Sequence, residues 1–423
     1  MSNPTQHILE DTTNSMRFLC AYTPTKDIVR IEGSVLGGTN MLPKPKKAAA
    51  ILVAELLDAG TTTKSKDAIR ESLANLGASI AFSAGGDRMH FSAECLPEDL
   101  SFVLATIREC LEKSSFPEKE IKTAKERIVG SLKEAKTDTR TQAAIALSRV
   151  LYESTHANYA TTLDEDIKSI LACTRKDLLA LRELFGRQKL VVAIVGNLSP
   201  KTSLMQAKTV FSKLPKGIGV VPAKKASTKA ASAEEKKVSI KDKANIDVYL
   251  GARLGFSYDD ARYVPFLILL SLLGGRGLAS GHLMRTVRER DGLTYGIYAM
   301  LSGFEDGSDG AWRIWATFAP AVFEKGISTV RAESKVFLKS GVHETALAAK
   351  KDEIVGNYLI ALSTARGLAC KLHQIAREGK ALSYIEEYPR ILRAVSLAEI
   401  QAAAKLLGLS KVSISASGTF AKS

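Results

Sequence analysis

The strongest constraint on the fold of this 423-residue chain is an internal repeat. A stretch rich in Lys, Ala and Ser lies at mid-chain, in residues 216–237, and has the composition of an exposed linker. The halves on either side open with similar extended apolar segments, "DIVRIEGSVLGG" in the first and "IDVYLGARLGF" in the second. A chain that repeats one pattern twice is expected to form two similar folding units.

The repeat continues through the later elements. In each half an apolar helix follows, then a polar helix that ends at glycine, then alternating strands, long amphipathic helices, and finally a helix and a strand. We therefore predict an α+β fold of two homologous α/β domains, each a sheet flanked by helices. The predicted domains are residues 1–215 and 238–423, with residues 216–237 as the linker.

Composition argues against several classes of protein. The net charge is +14, but residues 216–243 carry eight lysines against Glu234, Glu235 and Asp242, and no aromatic-interleaved basic patch accompanies them, so we expect no nucleic-acid binding. No apolar run approaches the ~20 residues of a membrane span. The N-terminus shows no secretory signal pattern, and five scattered cysteines indicate reduced thiols. We expect a cytoplasmic protein without membrane attachment.

The most specific local pattern is "LLGGRGLASGHLMRTVRERDGLTYGIY" in the second half. Its four glycines would let backbone N–H groups approach a ligand, or could simply permit a tight turn; they are Gly274, Gly275, Gly277 and Gly281. A helix then ends near Arg288, Gly292 suits the position after its cap, and Tyr295 opens a strand. Arg288 and Tyr295 thus flank one helix-to-strand turn. On pattern alone, a solvated arginine and a half-buried tyrosine account for them more simply.

Two segments resemble the pitrilysin and mitochondrial processing peptidase family of inverzincin metallopeptidases. "GGRGLASGHLMRTVRERDGLTYGIY" is similar to the second-domain motif of that family, a glycine-containing turn, a Leu-rich helix and R-E-x-x-G-L-x-Y. "LDEDIKSILACTRKDLLALRELFGRQKLVVAIVGNLSP" resembles the end of its first domain. The resemblance covers nearly the whole chain. It implies duplicated domains joined into one half of a clamshell, which encloses a chamber for unfolded peptides.

The zinc box that the resemblance implies is missing. An inverted H-x-x-E-H should stand on a first-domain helix before Gly60 and Thr61, where two imidazoles hold the metal and the glutamate activates water. That register places Ile51, Ala54 and Glu55 at the His, Glu and His positions. The six histidines are dispersed without H-x-x-x-H spacing, and His282 stands where many family members have arginine. We therefore expect neither metal nor cofactor on this chain.

The same resemblance implies a role for Arg288 and Tyr295. In the family, an arginine and a tyrosine at R-x6-Y spacing in a domain without zinc hold the substrate backbone and stabilise the oxyanion. Arg288 and Tyr295 have this spacing, and cationic and phenolic donors suit peptide carbonyls. The resemblance implies a substrate-binding subunit, inactive alone, of a heterodimeric metallopeptidase that degrades unfolded peptides. Its partner would be a homologous subunit carrying the zinc, and the glycine loop would line the cleft. The alternative is a proteolytically inactive structural or assembly protein.

Overall fold

The structure is a computed structural model that describes residues 8–24, 28–43, 46–221, 233–275 and 281–420. Its strands form two sheets, and the chain divides into two compact units, one around each sheet. Helices flank both sheets. The predicted α+β class with two similar domains is confirmed.

The first unit is built on a six-stranded sheet with the order β1-β2-β6-β3-β5-β4. Its strands are β1 (Ile8–Thr13), β2 (Met16–Tyr22), β3 (Val29–Leu36), β4 (Ser79–Gly85), β5 (Arg88–Cys95) and β6 (Val191–Gly196). Only β2 and β6 pair in parallel among these described strands. Every residue of β6 is buried, as the continuous apolar run VVAIV predicts for a central strand.

The second unit is built on a five-stranded sheet with the order β7-β11-β8-β10-β9. Its strands are β7 (Glu235–Ser239), β8 (Ile246–Arg253), β9 (Ile297–Ser302), β10 (Ala311–Phe318) and β11 (Ser413–Gly418). Here β7 and β11 form the parallel pair, and the neighbours of β8 are antiparallel to it. The order and strand directions match those of β2-β6-β3-β5-β4 in the first sheet. The sequence repeat therefore corresponds to a repeat of topology.

Helices occur in corresponding order in the two units. In the first sequence half they are α1 (Lys47–Leu56), α2 (Lys66–Ala74), α3 (Leu100–Lys113), α4 (Glu118–Ala135), α5 (Thr139–Leu151), α6 (Leu163–Ala172), α7 (Arg175–Arg182) and α8 (Pro200–Phe211). In the second they are α9 (Tyr263–Gly274), a π-helix (Met284–Arg290), α10 (Phe323–Ser340), α11 (Glu344–Leu362), α12 (Ala365–Arg377), α13 (Tyr384–Ala394) and α14 (Leu397–Leu406). The equivalent helices α7 and α14 both begin with a capping box, in which side chain and backbone satisfy each other's orphan groups.

Each half of the sequence contributes one helix to the unit built on the other half's sheet. Helix α5, from the first half of the sequence, packs on β8 and β11 through residues such as Ala143 and Leu147. Helix α12, from the second half, packs on β2, β3 and β6 through Leu368 and Leu372. The first unit therefore comprises Met1–Gly130, Asp166–Ala223 and Tyr358–Tyr388, and the second comprises Ser131–Glu165, Lys224–Asn357 and Pro389–Ser423. Residues 222–232 of the predicted linker lie outside the described residues, and its last three residues, 235–237, belong to β7.

The five cysteines are free thiols, four of them buried. Burial raises the pKa of Cys20 and of Cys110 to about 12, so neither is a thiolate near neutral pH. In the part of the chain that the structure describes, no helix combines the length and apolar character needed to cross a lipid bilayer.

Candidate functional site

The three positions of the missing zinc box lie on the outer face of α1. Ile51 is 43% exposed, Ala54 is half-buried, and Glu55 is exposed. The opposite face of the helix, with Leu52 and Val53, is buried. Residues at i, i+3 and i+4 share one helical face, so the register on Gly60 and Thr61 gives a contiguous surface.

Zinc does not fit this surface. Ile51 and Ala54 have no lone pair to offer, and the Glu55 carboxylate forms an ion pair with Arg127 of α4. Across the described residues, no group of three or more His, Cys, Asp and Glu side chains could hold a metal ion. We therefore derive no step on this chain that passes through zinc.

The buried histidines His156 and His373 form hydrogen bonds within the fold. His156 is buried, and its Nε2 lies 2.6 Å from Oδ1 of Asp309. Its Nδ1 accepts the backbone N–H of Asn158 at 3.0 Å, so the proton of the neutral ring is on Nε2 and is donated to the carboxylate. His373 is buried beside His90 and Ser34. His343 is exposed, and His7 lies outside the described residues.

Arg288 lies where the sequence predicts, in the last turn of a helix. The helix is a π-helix, Met284–Arg290, with Leu283 and Val287 buried beneath it. Gly292 follows the cap with φ of 62°, the left-handed conformation that favours glycine. Its N–H donates to the carbonyl of Arg288 at 3.0 Å. The predicted stop at Gly292 is therefore confirmed.

Thr294 fixes the turn that follows. Its hydroxyl Oγ1 lies 2.9 Å from the carbonyl oxygen of Gly296 and 2.5 Å from that of Thr317 on β10. The N–H of Gly296 returns a bond of 3.2 Å to the same oxygen. A Cβ at Gly296 would lie 3.0 Å from the ring of Trp315, so the chain approaches the sheet closely here. Residues 288–296, called the corner below, are thus held by short bonds to the sheet.

The corner presents both predicted side chains to solvent. Tyr295 is 85% exposed, rather than half-buried, and it lies in the turn two residues before β9. The guanidinium carbon of Arg288 lies 5.3 Å from the centre of its ring, a cation–π contact. Within the described ranges, the one further contact of the guanidinium is that of Nη1 with the sulfur of Met284, at 3.6 Å. The remaining guanidinium donors and the phenol therefore stand together on one exposed surface.

A second cluster, which the sequence did not reveal, ties the π-helix to α10. Glu333 of α10 accepts from His282 Nε2 at 2.9 Å and from Arg290 Nη2 at 2.9 Å. Arg290 also binds the carboxylate of Asp291 through Nε and Nη2, which holds the pKa of that carboxyl below its usual range. The Glu333 side chain is mostly buried. Because His282 precedes the π-helix and Arg290 ends it, these two bonds to one carboxylate hold both ends of the π-helix against α10. The only sequence signal was His282 itself.

The glycine loop brings its two ends into contact. A Cβ at Gly281 would lie 2.6 Å from Cα of Gly274 and 2.8 Å from N of Gly275, and one at Gly274 would lie 2.8 Å from the backbone N of Ala299. These glycines permit close backbone approach between the end of α9, the start of the π-helix and β9. Gly277 lies outside the described residues. The predicted contact of this loop with substrate stays a prediction.

Two models from the same peptidase family match this chain, one mainly in each half. The family model described as "Insulinase (Peptidase family M16)" matches residues 17–164, and the one described as "Peptidase M16 inactive domain" matches residues 172–354. Together they cover more than half of the chain. A curated relative from Bacillus subtilis, an uncharacterized zinc protease, is 22% identical over 326 residues, which are 76% of this chain and 74% of that protein.

Solved structures share the whole fold. A peptidase M16 inactive domain from Pseudomonas fluorescens has a TM-score of 0.88 and 23% identity, over 98% of each chain. A protease from Helicobacter pylori has a TM-score of 0.84 and 14% identity, over 97% of this chain and 99% of that one. The periplasmic protease PqqL from Escherichia coli has a TM-score of 0.81 and 14% identity; this chain is matched in full but covers 46% of that protein.

Proposed function

This chain belongs to peptidase family M16, and from that premise we propose that it is the substrate-binding subunit of a two-chain zinc peptidase. The supporting observation is the asymmetry of its two sites. The corner carries an exposed arginine–tyrosine pair held rigidly by its backbone, while the zinc-box positions are Ile51, Ala54 and Glu55. A chain that supplies the arginine–tyrosine pair but no zinc ligands requires a second chain to supply the zinc site.

In the proposed complex the corner binds the peptide backbone. The Arg288 guanidinium donates to substrate carbonyl oxygens, and the Tyr295 hydroxyl donates to the oxygen that becomes negative when water attacks the scissile carbonyl. Donors aimed at a developing oxyanion accelerate the reaction because they bind the transition state more strongly than the substrate. The zinc ion and the base that activates water belong to the partner, a homologue with H-x-x-E-H.

Preorganisation of the corner supports this role. Thr294 and Gly296 bind the turn to β10, and the Glu333 cluster fixes the preceding π-helix. From this frame the side chains of Arg288 and Tyr295 project into solvent. Catalytic donors work best when their supporting groups leave them little freedom to reorganise.

The test is peptide cleavage by the pair reconstituted from this chain and its co-purified homologue. Tyr295→Phe should reduce kcat by about 10²–10³, since removal of one oxyanion donor has that effect in well-studied hydrolases. Arg288→Ala should raise KM as well as lower kcat, because a cation on the backbone contributes to substrate binding. This chain alone should not cleave.

Two residues of the same types, both exposed and outside the corner, give matched controls. Arg285 is an exposed arginine on the same π-helix, and Tyr22 is a partly exposed tyrosine on β2. Arg285→Ala and Tyr22→Phe should leave cleavage unchanged, and thermal melts should show that all four variants fold. Wild-type rates in both corner variants would favour the structural or assembly role instead. We place the complex in the cytoplasm, which cell fractionation checks; a periplasmic location would contradict that part.

A further inference from the structure

Two arginines of the second unit lie against the same group of aromatic rings. Arg140 of α5 is exposed, and its guanidinium carbon lies 4.3 Å from the centre of the Trp315 ring and 5.3 Å from that of Tyr298. Arg313 of β10 is half-buried, and its guanidinium carbon lies 5.4 Å from the centre of the Tyr249 ring. Arg140 Nε also donates to the hydroxyl of Tyr249 at 3.4 Å, so both cations contact this one tyrosine. We call Arg140 and Arg313 the arginine site.

The carboxylates on this side of the sheet bind other groups. Asp247 accepts from the Thr139 hydroxyl and, at 2.7 Å, from Trp315 Nε1. Asp309 lies 2.6 Å from His156 Nε2. In the part of the chain that the structure describes, the contacts recorded for the arginine site are with aromatic rings and one phenol hydroxyl, and none is with a carboxylate. The two positive charges are therefore not neutralised by these carboxylates.

The two cations also repel each other. Burial lowers the pKa of Arg313, and the charge of Arg140 adds to this effect. An arginine stays protonated in a protein even so. An anion that contacts both guanidinium groups would relieve the repulsion and gain charge-assisted hydrogen bonds.

The internal repeat places a carboxylate at the equivalent position of the first unit. Arg366 stands two residues after the N-cap of α12, as Arg140 does after that of α5. Glu32 stands three residues after the start of β3, where β8 has Tyr249. Burial raises the pKa of the Glu32 carboxyl, and Arg366 and Arg30 oppose this by attracting its charged form. The second unit has the equivalent arginine but a phenol in place of the carboxylate.

The arginine site adjoins the corner through Trp315. A Cβ at Gly296 would lie 3.0 Å from the Trp315 ring, and the same ring contacts Arg140. Arg313 precedes Trp315 by two residues on β10, so both side chains lie on one face of the sheet. Arg313 pairs with Met300, which follows Gly296 by about 13 Å of strand. An extended peptide spans this distance with about four residues.

We propose that the arginine site binds an acidic side chain of the peptide substrate, about two to four residues from the bond that is cleaved. This inference rests on the proposed function, because it assumes that the corner binds that bond. The substrate carboxylate accepts hydrogen bonds from Arg140 and Arg313, whose planar guanidinium groups match its geometry. The site therefore selects acidic peptides over neutral peptides of the same length.

Peptide binding by the full-length chain tests this site. The probes are two end-blocked peptides with an uncharged dye, identical except for one central residue, which is Glu in one and Gln in the other. Fluorescence anisotropy should give the Glu peptide a Kd lower by about tenfold or more, the effect of a charge-assisted hydrogen bond. The difference should shrink at high salt, because the site is partly exposed.

The outcomes separate this inference from the proposed function. Equal Kd values for the two peptides would overturn the arginine site and leave the substrate-binding role intact. Failure of both peptides to bind would contradict the site and the substrate-binding role together.

Variants identify the cations that the Glu peptide contacts. Arg140→Gln changes an exposed side chain, and it should reduce the affinity for the Glu peptide to that for the Gln peptide. Arg313→Gln should have the same effect, with thermal melts to show that the variant folds. Arg366→Gln is the matched control, since it removes the equivalent exposed arginine of the first unit and should leave the preference unchanged. A preference that survives both Arg140→Gln and Arg313→Gln, or that disappears in Arg366→Gln, would contradict the proposed contacts.

Discussion

At the scale of single residues, His373 shows how burial sets protonation. Its Nε2 lies 2.8 Å from Ser34 Oγ, which in turn accepts from Arg88 Nη1 at 3.0 Å. The Ser34 hydroxyl is therefore available to donate to a neutral imidazole. Burial, and then the neighbouring His90, Arg377 and Arg88, lower the pKa of His373 well below its usual value. Protonation at this position would place an uncompensated charge beside arginines.

This shift predicts a pH dependence of stability. The unfolded state binds a proton at His373 below its ordinary pKa of about 6.5, and the folded state does not, so stability should fall as pH decreases below that value. Above that pH, the contribution of His373 to stability does not change with pH. From pH 6 to pH 5, His373→Gln should remove a slope of up to about 1.4 kcal/mol per pH unit from the unfolding free energy.

Urea unfolding of wild type and variant across this pH range measures the effect. His343→Gln serves as the control because His343 is exposed. The slope of the difference between wild type and His373→Gln is the readout, since the substitution also removes the bond to Ser34. Parallel curves for wild type and His373→Gln would show that the folded state accepts the proton.

At the scale of secondary-structure elements, one carboxylate determines where the π-helix lies. Glu333 of α10 binds His282 before the helix and Arg290 at its end. Both bonds join an ionisable donor to a mostly buried carboxylate, the strongest class of side-chain hydrogen bond. Since Arg288 projects from the same helix, Glu333 is a positioning residue for the corner.

Glu333→Gln should therefore loosen the π-helix without unfolding the chain. Charged hydrogen bonds contribute about 1.5–3 kcal/mol each, so backbone amides 284–293 should exchange with solvent at least about tenfold faster. Hydrogen exchange followed by mass spectrometry measures this locally. Glu324→Gln, at the exposed start of α10, should leave these amides unchanged. Equal protection in wild type and Glu333→Gln would mean that backbone bonds alone position the helix.

At the scale of the whole molecule, neither half of the sequence contains all of its own core. The sheet of the first unit is covered by Leu368 and Leu372 of α12, and that of the second unit by Ala143 and Leu147 of α5. Without the exchanged helix, each sheet would expose an apolar face to water. Burial of each such leucine side chain is worth about 1.5–3 kcal/mol, so this loss is large against the usual stability of a domain.

Residues 1–221 and 233–423, expressed separately, should therefore lack cooperative thermal unfolding. Co-expressed, the two fragments should form one complex with a melting transition, because each supplies the helix that the other sheet needs. Gel filtration and calorimetry of the separate and combined fragments decide the matter. A cooperative transition in either fragment alone would show that its sheet is stable without the exchanged helix.

The sequence determined the local elements, the repeat and the main features of the corner. Alternation and helical periodicity depend on neighbours two to four residues apart, so they can be read along the chain. Gly292 was predictable because a left-handed residue after a helix favours glycine. The missing zinc box was equally visible, because Ile51 and Ala54 lack metal-binding atoms whatever the fold.

Only the tertiary structure decided which sheet each helix covers and what surrounds the special side chains. Helices α5 and α12 have apolar faces that fit either sheet by pattern alone. Their actual placement depends on contacts such as that of Ser415 Oγ with the carbonyl of Ala143, 272 residues away in sequence. The Glu333 cluster arises in the same way. Side-chain pairing across such distances depends on packing in three dimensions, which periodicity along the chain does not record.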